Sequence, residues 1–168
     1  MEVVTPLAIA IQLLRHRSFT FQQFSGRYQD QKAMTLMTED LPTAEHDLFY
    51  MPTVARMQDT TNRQNSVVCE NEEITALMQG AIEDTMLAAY KSYNKLLDLG
   101  IAKEVARFVL PQGTYTRLYV TGSARSFIHY CDVRDDPGVA QYEHVELAQA
   151  IKNVFAAECP IIAEAVWG

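Results

Sequence analysis

The run from Arg15 to Tyr28 reads RHRSFTFQQFSGRY and concentrates positive charge near the amino end of an acidic chain. It holds three arginines and one histidine, and Glu2 is the only acidic residue among the first 29. The 168 residues together nevertheless carry a formal charge of −7. A compact cationic site in an acidic protein favours a small, highly charged anion such as a nucleotide phosphate. It argues against a nucleic-acid binder, which would present a wide basic face.

Local patterns around this run predict a helix followed by an extended segment. Thr5 and Pro6 are typical of a helix N-cap and first helical position, so we expect a short helix that ends at about Arg15. Its apolar spacing predicts buried side chains at Leu7, Ile11 and Leu14. Residues 18–24 alternate aromatic and polar side chains, which is typical of a strand.

The rest of the chain predicts a helix-rich α+β fold rather than alternating βαβ units. Residues 30–66 are polar and contain two prolines, which indicates a long surface excursion. Beyond it we expect a long helix over 73–99 with its apolar stripe in the core and Gly100 at its end. A short helix over 102–110, a strand over 114–121, a helix over 123–133 and a last helix over 141–158 complete the prediction.

Composition limits the class of protein. The chain is long enough for one domain with its own core, and neither a repeat nor a linker divides residues 1–168. No apolar run approaches the roughly 18 residues that cross a bilayer. Cys69, Cys131 and Cys159 are widely spaced and predict neither disulfides nor a metal site. We therefore expect a cytoplasmic protein, of a bacterium or of a virus-infected cell, without a membrane partner.

Several arginines allow a structural explanation as well as a functional one. Arg15 and Arg17 could simply lie at a solvated helix end, where positive charge is favourable. Arg107 and Arg125 are expected to be ion-pair partners on helix surfaces, and Arg107 is expected to contribute little to ligand binding. Residues 62–66 could be plain loop or could touch a ligand.

The spacing within the first run resembles the signature of the flavin-dependent thymidylate synthases. In both, Arg-His-Arg is followed after seven residues by Ser, with Arg and Tyr two and three positions later. AKEVARFVLP (102–111), TYTR (114–117) and the stretch 124–141 follow in the family's order. The resemblance implies that family's fold, with a small antiparallel sheet, and a homotetramer with shared active sites. It also implies methylation of dUMP to dTMP with methylenetetrahydrofolate, FAD and NADPH, and no metal.

The resemblance also implies roles for individual residues. Flavin contacts are expected from Arg15, His16, Arg17, Gln23 and Arg134. Nucleotide contacts are expected from Gln12, Arg15, Gln23, Ser25, Gly26, Arg27 and, towards a neighbouring subunit's phosphate, Arg117. Ser25 and Arg15 are the expected catalytic-site residues. Because no base is paired with Ser25 in the sequence, its expected role is a pocket hydrogen bond rather than nucleophilic attack.

Two departures from the family pattern open an alternative. Members usually carry a further segment before the signature helix, so this chain is expected to be short at its amino end. His144 and Val145 follow Glu143 where many members have an arginine. The alternative is therefore an incomplete or non-catalytic nucleotide-binding subunit that assembles with a complementary chain.

Overall fold

The computed structural model describes residues 1–27, 48–63 and 65–168. Tyr28 and residues 30–47 of the expected surface excursion lie outside these ranges. The strands are β1 (Glu2–Pro6), β2 (Thr20–Gln23), β3 (Arg56–Gln58), β4 (Ser66–Val68) and β5 (Tyr115–Thr121). The α-helices are α1 (Leu7–Leu13), α2 (Glu72–Asp98), α3 (Lys103–Ala106), α4 (Ala124–Arg134), α5 (Tyr142–Glu158) and α6 (Pro160–Trp167), and Arg107–Val109 is a 3-10 turn.

A three-stranded antiparallel sheet in the order β1-β5-β2 lies at the centre of the fold. β5 is rich in β-branched and aromatic residues, which suit a pleated surface between two neighbours. Leu118 and Val120 on this strand are fully buried and belong to the main core, where α4 and α5 contribute Phe127 and Phe155. The expected small antiparallel sheet within a helix-rich α+β fold is thus confirmed.

The amino-terminal segment differs from the prediction. Thr5 is not the helix cap: it and Pro6 end β1, where they pair with Thr116 and Tyr115 of β5, and Pro6 takes the N-cap position instead. α1 begins at Leu7 without a side-chain cap and ends at Leu13 rather than at Arg15. Since the strand fixes how the chain enters the helix, the buried face is rotated from the expected one. Ile9, Ala10 and Leu13 are buried, whereas Ile11 and Leu14 are exposed.

The long helix α2 is confirmed, but its apolar stripe is mostly not core. Tyr90 and Tyr93 are its buried residues, and they pack with Leu48, Phe49 and Ala106 in a second cluster. Leu77 is 68% exposed. Gly100 follows the helix with φ 79°, a conformation that glycine adopts at little cost.

Two predicted helices near the carboxyl end are confirmed and a third was missed. Ser123 caps α4 by accepting from the Ser126 backbone N–H, and α5 follows after a short loop. Val154, expected in the core, is half exposed, while Ile151 and Phe155 are buried. Pro160 at the start of α6 begins a further helix, which the sequence pattern did not predict.

A small hairpin occupies the described end of the expected excursion. β3 and β4 pair antiparallel, with Arg56 opposite Val68. The Asp59 carboxylate accepts hydrogen bonds from the backbone N–H groups of Thr61 and Asn62, which orders the connecting loop. The Arg56 guanidinium lies over the Tyr142 ring, 4.9 Å from its centroid, and so links this hairpin to the start of α5.

The central strand gives a test of the fold. Leu118 is 0% exposed, so Leu118→Ala should lower the free energy of unfolding by about 2–5 kcal/mol through lost burial and a cavity. Leu99→Ala, at a position that is 68% exposed, is the matched control and should change it by less than about 0.5 kcal/mol. Urea unfolding followed by circular dichroism measures both, and equal losses would contradict the assignment of the core.

Candidate active site

His16 and Arg134 form a direct contact between the turn after α1 and the end of α4. Arg134 Nε donates a hydrogen bond of 3.1 Å to His16 Nε2. The imidazole therefore accepts at Nε2 and carries its proton at Nδ1. Partial burial lowers the pKa of His16, and the charge of Arg134 lowers it further. The structure thus joins two residues that the sequence analysis assigned to one ligand.

A buried tyrosine and histidine lie behind this contact. The His16 ring packs edge-on against Tyr130, with centroids 4.9 Å apart. The Tyr130 hydroxyl lies 3.1 Å from Nδ1 of His144, which is fully buried. Burial raises the pKa of Tyr130, so its hydroxyl stays protonated. Burial, followed by the charge of Arg134, lowers the pKa of His144 to about 4.

Gln12 lies in the last turn of α1, close to the His16 turn in the chain. Its Nε2 donates a hydrogen bond of 2.6 Å to Oε1 of Gln141, just before α5. The half-buried Gln12 amide is therefore fixed by a residue from the carboxyl-terminal half of the chain. Arg15 and Arg17, by contrast, are exposed at the turn that follows α1.

A cavity of about 290 Å³ lies where the chain leaves β2. Gln23, Ser25 and Gly26 line it on one side, and Gln23 Nε2 donates a hydrogen bond of 3.0 Å to Thr116 Oγ1 across the sheet. Ser25 Oγ accepts from the backbone N–H of Arg27 at 3.3 Å. The cavity is completed by Leu7, Phe24, Arg107, Leu110, Thr114, Tyr115 and Thr116.

Arg27 does not line this cavity but lies against α3. Its Nε donates to Oε2 of Glu104 at 2.9 Å, and its Nη2 lies 2.9 Å from the same oxygen. Both side chains are about half exposed. An ion pair exposed to this degree contributes about 1 kcal/mol or less because water screens it. Arg27 can therefore exchange Glu104 for another anion at small cost.

Arg117 is buried in the sheet, 3% exposed. Its Nε lies 3.1 Å from Oε1 of Glu2, close enough for an ion pair but not aligned for a hydrogen bond. Its guanidinium carbon lies 5.4 Å from the centroid of the Phe24 ring, and Phe24 lines the cavity. Among the described residues, Arg117 Nη2 has no hydrogen-bond partner. The expected contact with a neighbouring subunit's nucleotide stays a prediction.

Arg107 was expected at a helix surface with little part in ligand binding; it is exposed in the 3-10 turn, but it also reaches the cavity. It lines the cavity beside Ser25 and Gly26. The ion pair expected for it is not found with any residue of the described ranges.

The described residues contain no cluster of three or more side chains that could hold a metal ion. No described helix is long and apolar enough to cross a membrane.

Comparison with known proteins identifies the family. The sequence profile described as "Thymidylate synthase complementing protein" matches residues 1–161. The chain is 41% identical over 166 residues to a probable flavin-dependent thymidylate synthase of Paramecium bursaria Chlorella virus 1, covering 99% of this chain and 69% of that protein. The chain belongs to the flavin-dependent thymidylate synthase family.

Further relatives agree with this membership. The flavin-dependent thymidylate synthase of a Synechocystis strain is also 41% identical, over 99% of this chain and 69% of its own. Among solved structures, a UMP/dUMP methylase, PolB, of Streptomyces cacaoi bound with 5-Br UMP superposes with a TM-score of 0.77 at 28% identity. That match covers 98% of this chain and 70% of the other.

Membership of a flavin-dependent family implies FAD, and the residues around His16 fit a flavin. A flavin that has taken up electrons carries negative charge, which cationic donors stabilise. Arg15, Arg17 and Arg134 supply such donors around one turn. The neighbouring Asp135 does not cancel them, because its carboxylate is bound by Lys152 and Gln149.

Four neighbours of the flavin-dependent synthase motif were not found from the sequence. These residues are Thr116, Glu104, Gln141 and Tyr130, which bond or pack against Gln23, Arg27, Gln12 and His16. Each pair is far apart along the chain, and the pairs meet only through the fold. The sequence order of the later motifs was the one signal that pointed to these regions.

His144 should make stability depend on pH. In the folded protein its pKa is about 4, against about 6.5 when unfolded, so the unfolded chain binds the proton first. The free energy of unfolding should therefore fall as the pH drops from about 6.5 towards 4. A proton added to the folded His144 ring would be buried among Arg134, His16 and Tyr130, and the charge of Arg134 would repel it. Urea unfolding at several pH values should show a shallower fall in His144→Asn. His129→Asn, an exposed position on α4, is the control; an unchanged slope in His144→Asn would contradict the assignment.

Proposed function

We propose that this protein methylates dUMP to dTMP, with FAD as redox cofactor, methylenetetrahydrofolate as one-carbon donor and NADPH as reductant. The reaction is inferred from family membership, and one structural observation supports where its ligands would bind. The continuous segment 12–27 contributes both the His16–Arg134 contact and the Ser25–Gly26 wall of the cavity. Between them lies β2, a four-residue strand that spans roughly 13 Å. A flavin and a nucleotide would therefore bind side by side along one strand.

The cavity supplies groups suited to a pyrimidine nucleotide. Ser25 offers a hydroxyl, and the Gly26 backbone can approach a ligand closely because it carries no side chain. Gln23 presents an amide that can both donate and accept, and its hydrogen bond to Thr116 fixes its orientation. Ser25 has no basic partner among the described residues and so serves as a hydrogen-bonding group rather than as a nucleophile. Arg15, at the exposed turn, is the proposed link between nucleotide and flavin.

The flavin side is built from His16, Arg17 and Arg134. The bound flavin would supply the hydride chemistry of the reductive methylation. The protein residues orient it and place positive charge where negative charge develops. Because His16 accepts from Arg134 at Nε2, it presents an Nδ1–H donor rather than a full positive charge. The guanidinium groups therefore carry the positive charge of this side.

We also propose that the protein works as a homotetramer with active sites shared between subunits. Ile74 and Leu77 expose apolar surface on α2, a helix of 27 residues that buries only two of its side chains. Exposed apolar area of this kind marks a surface that another protein covers. Light scattering of the purified protein should give about four times the chain mass, and a monomer would contradict the proposal.

Activity and spectrum test the function together. The purified protein supplied with FAD should show flavin absorbance after gel filtration, and it should convert dUMP to dTMP with methylenetetrahydrofolate and NADPH. Omitting NADPH or folate should abolish product. Flavin and dUMP binding without dTMP would favour the alternative, a nucleotide-binding subunit that needs a complementary chain. A colourless protein that cannot be loaded with FAD would contradict both.

Arg134 allows a residue-level test of the flavin side. Arg134→Gln removes the positive charge and the donor to His16, so the Kd for FAD should rise about 10-fold, the order expected for a lost charge-assisted hydrogen bond. Quenching of flavin fluorescence measures the Kd. Arg125→Gln, at an exposed position on the same helix, should leave it unchanged. An equal effect of both variants would refute a specific contact.

A further inference from the structure

Arg107 lies closer to the proposed nucleotide site than its position in the sequence suggests. The 3-10 turn after α3 brings it to the wall of the cavity that Ser25 and Gly26 also line. A β-carbon built on Gly26 would lie 3.8 Å from Cδ of Arg107, so the arginine stem lies next to the space that a side chain at this position would fill. The side chain thus reaches the loop that ends β2.

The charge of Arg107 is not compensated by any described residue. Glu104 lies three positions earlier, a spacing at which the two could pair on a helix. Its carboxylate is instead bound by Arg27. None of the described residues that line the cavity is acidic. In a chain of net charge −7, a guanidinium that no described residue pairs, beside a cavity whose described lining holds no carboxylate, attracts an anion.

The cavity wall also has unused hydrogen-bonding capacity. Thr114 lines the cavity, is 1% exposed, and its Oγ1 has no hydrogen-bond partner in the described parts of the chain. A buried hydroxyl without a partner is costly, and such groups normally meet a ligand or a water. The wall therefore holds a hydroxyl group that a polar ligand or a water could satisfy.

We propose that Arg107 binds the phosphate of the pyrimidine nucleotide, together with Ser25 and Gly26. The inference rests on the proposed function, since it deepens the description of the same nucleotide site. A guanidinium can grip two phosphate oxygens through its planar fork, which an ammonium group cannot do. Arg107 would thereby be the positively charged residue in the cavity wall. Arg27, which lies outside this wall, would reach the phosphate only after leaving Glu104.

Paired ligands test this role in the FAD-loaded protein. The Kd values of dUMP and of deoxyuridine, which lacks the phosphate, are measured by titration of the flavin absorbance. Arg107→Ala should raise the Kd of dUMP about 10-fold or more, the order expected for a lost charge-assisted contact, and leave that of deoxyuridine unchanged. Arg107→Lys should recover part of the loss. Arg125→Ala, an exposed arginine on α4, should change neither.

The outcomes separate this inference from the proposed function. Wild-type protein that binds dUMP, with Arg107→Ala within twofold of it, overturns the role of Arg107 and leaves the function intact. Equal weakening of dUMP and deoxyuridine shows a structural effect and also overturns it. Wild-type protein that binds FAD but not dUMP overturns the proposed function and this inference with it. Thermal unfolding of each variant verifies that the fold is retained.

Discussion

The register of β5 against its two neighbours is the constraint on which the site depends. β1 pairs on one side of β5 and β2 on the other, so the chain must cross over through α1 and the Arg-His-Arg turn. Gln23 is paired with Leu118, and the next backbone N–H, of Phe24, donates to the carbonyl of Arg117. This pairing sets Ser25 and Gly26 beside the start of β5. A slip of one residue would turn every side chain to the other face of the sheet.

The sequence pattern predicted where helices and strands begin and end better than it predicted which of their faces are buried. The ends of α2, β5, α4 and α5 were close to the observed ones, because caps, prolines and glycine act locally. The phase of α1 was wrong because β1 fixes it through pairing with residues more than a hundred positions away. Likewise, the stripe on α2 has the periodicity of a buried face, yet periodicity cannot tell burial in the chain's own core from burial against another chain.

The same distinction holds within the site. The resemblance to the family pointed to His16, Ser25 and Arg134. In the fold, His16 and Arg134 contact each other and Ser25 lines the cavity. The resemblance could not foresee that Arg27 meets Glu104 rather than the cavity wall, nor that Arg107 reaches that wall. Side chains on short helical turns can point in several directions, and their direction here depends on how α3 packs against α2. Only tertiary structure determines that packing.

Three guanidinium groups near the cavity differ in what it costs to bring each to a phosphate. Arg107 has no described anion to leave, so its cost is mainly the ordering of an exposed side chain. Arg27 must leave an exposed ion pair worth about 1 kcal/mol or less. Arg117 is buried, whereas the side chain of its partner Glu2 is 35% exposed, so separating this pair leaves a buried guanidinium without its anion and costs more than freeing Arg27. A phosphate would therefore recruit Arg107 at the lowest cost and Arg27 at the next lowest. Arg117 would contribute through its field or after a rearrangement of Glu2.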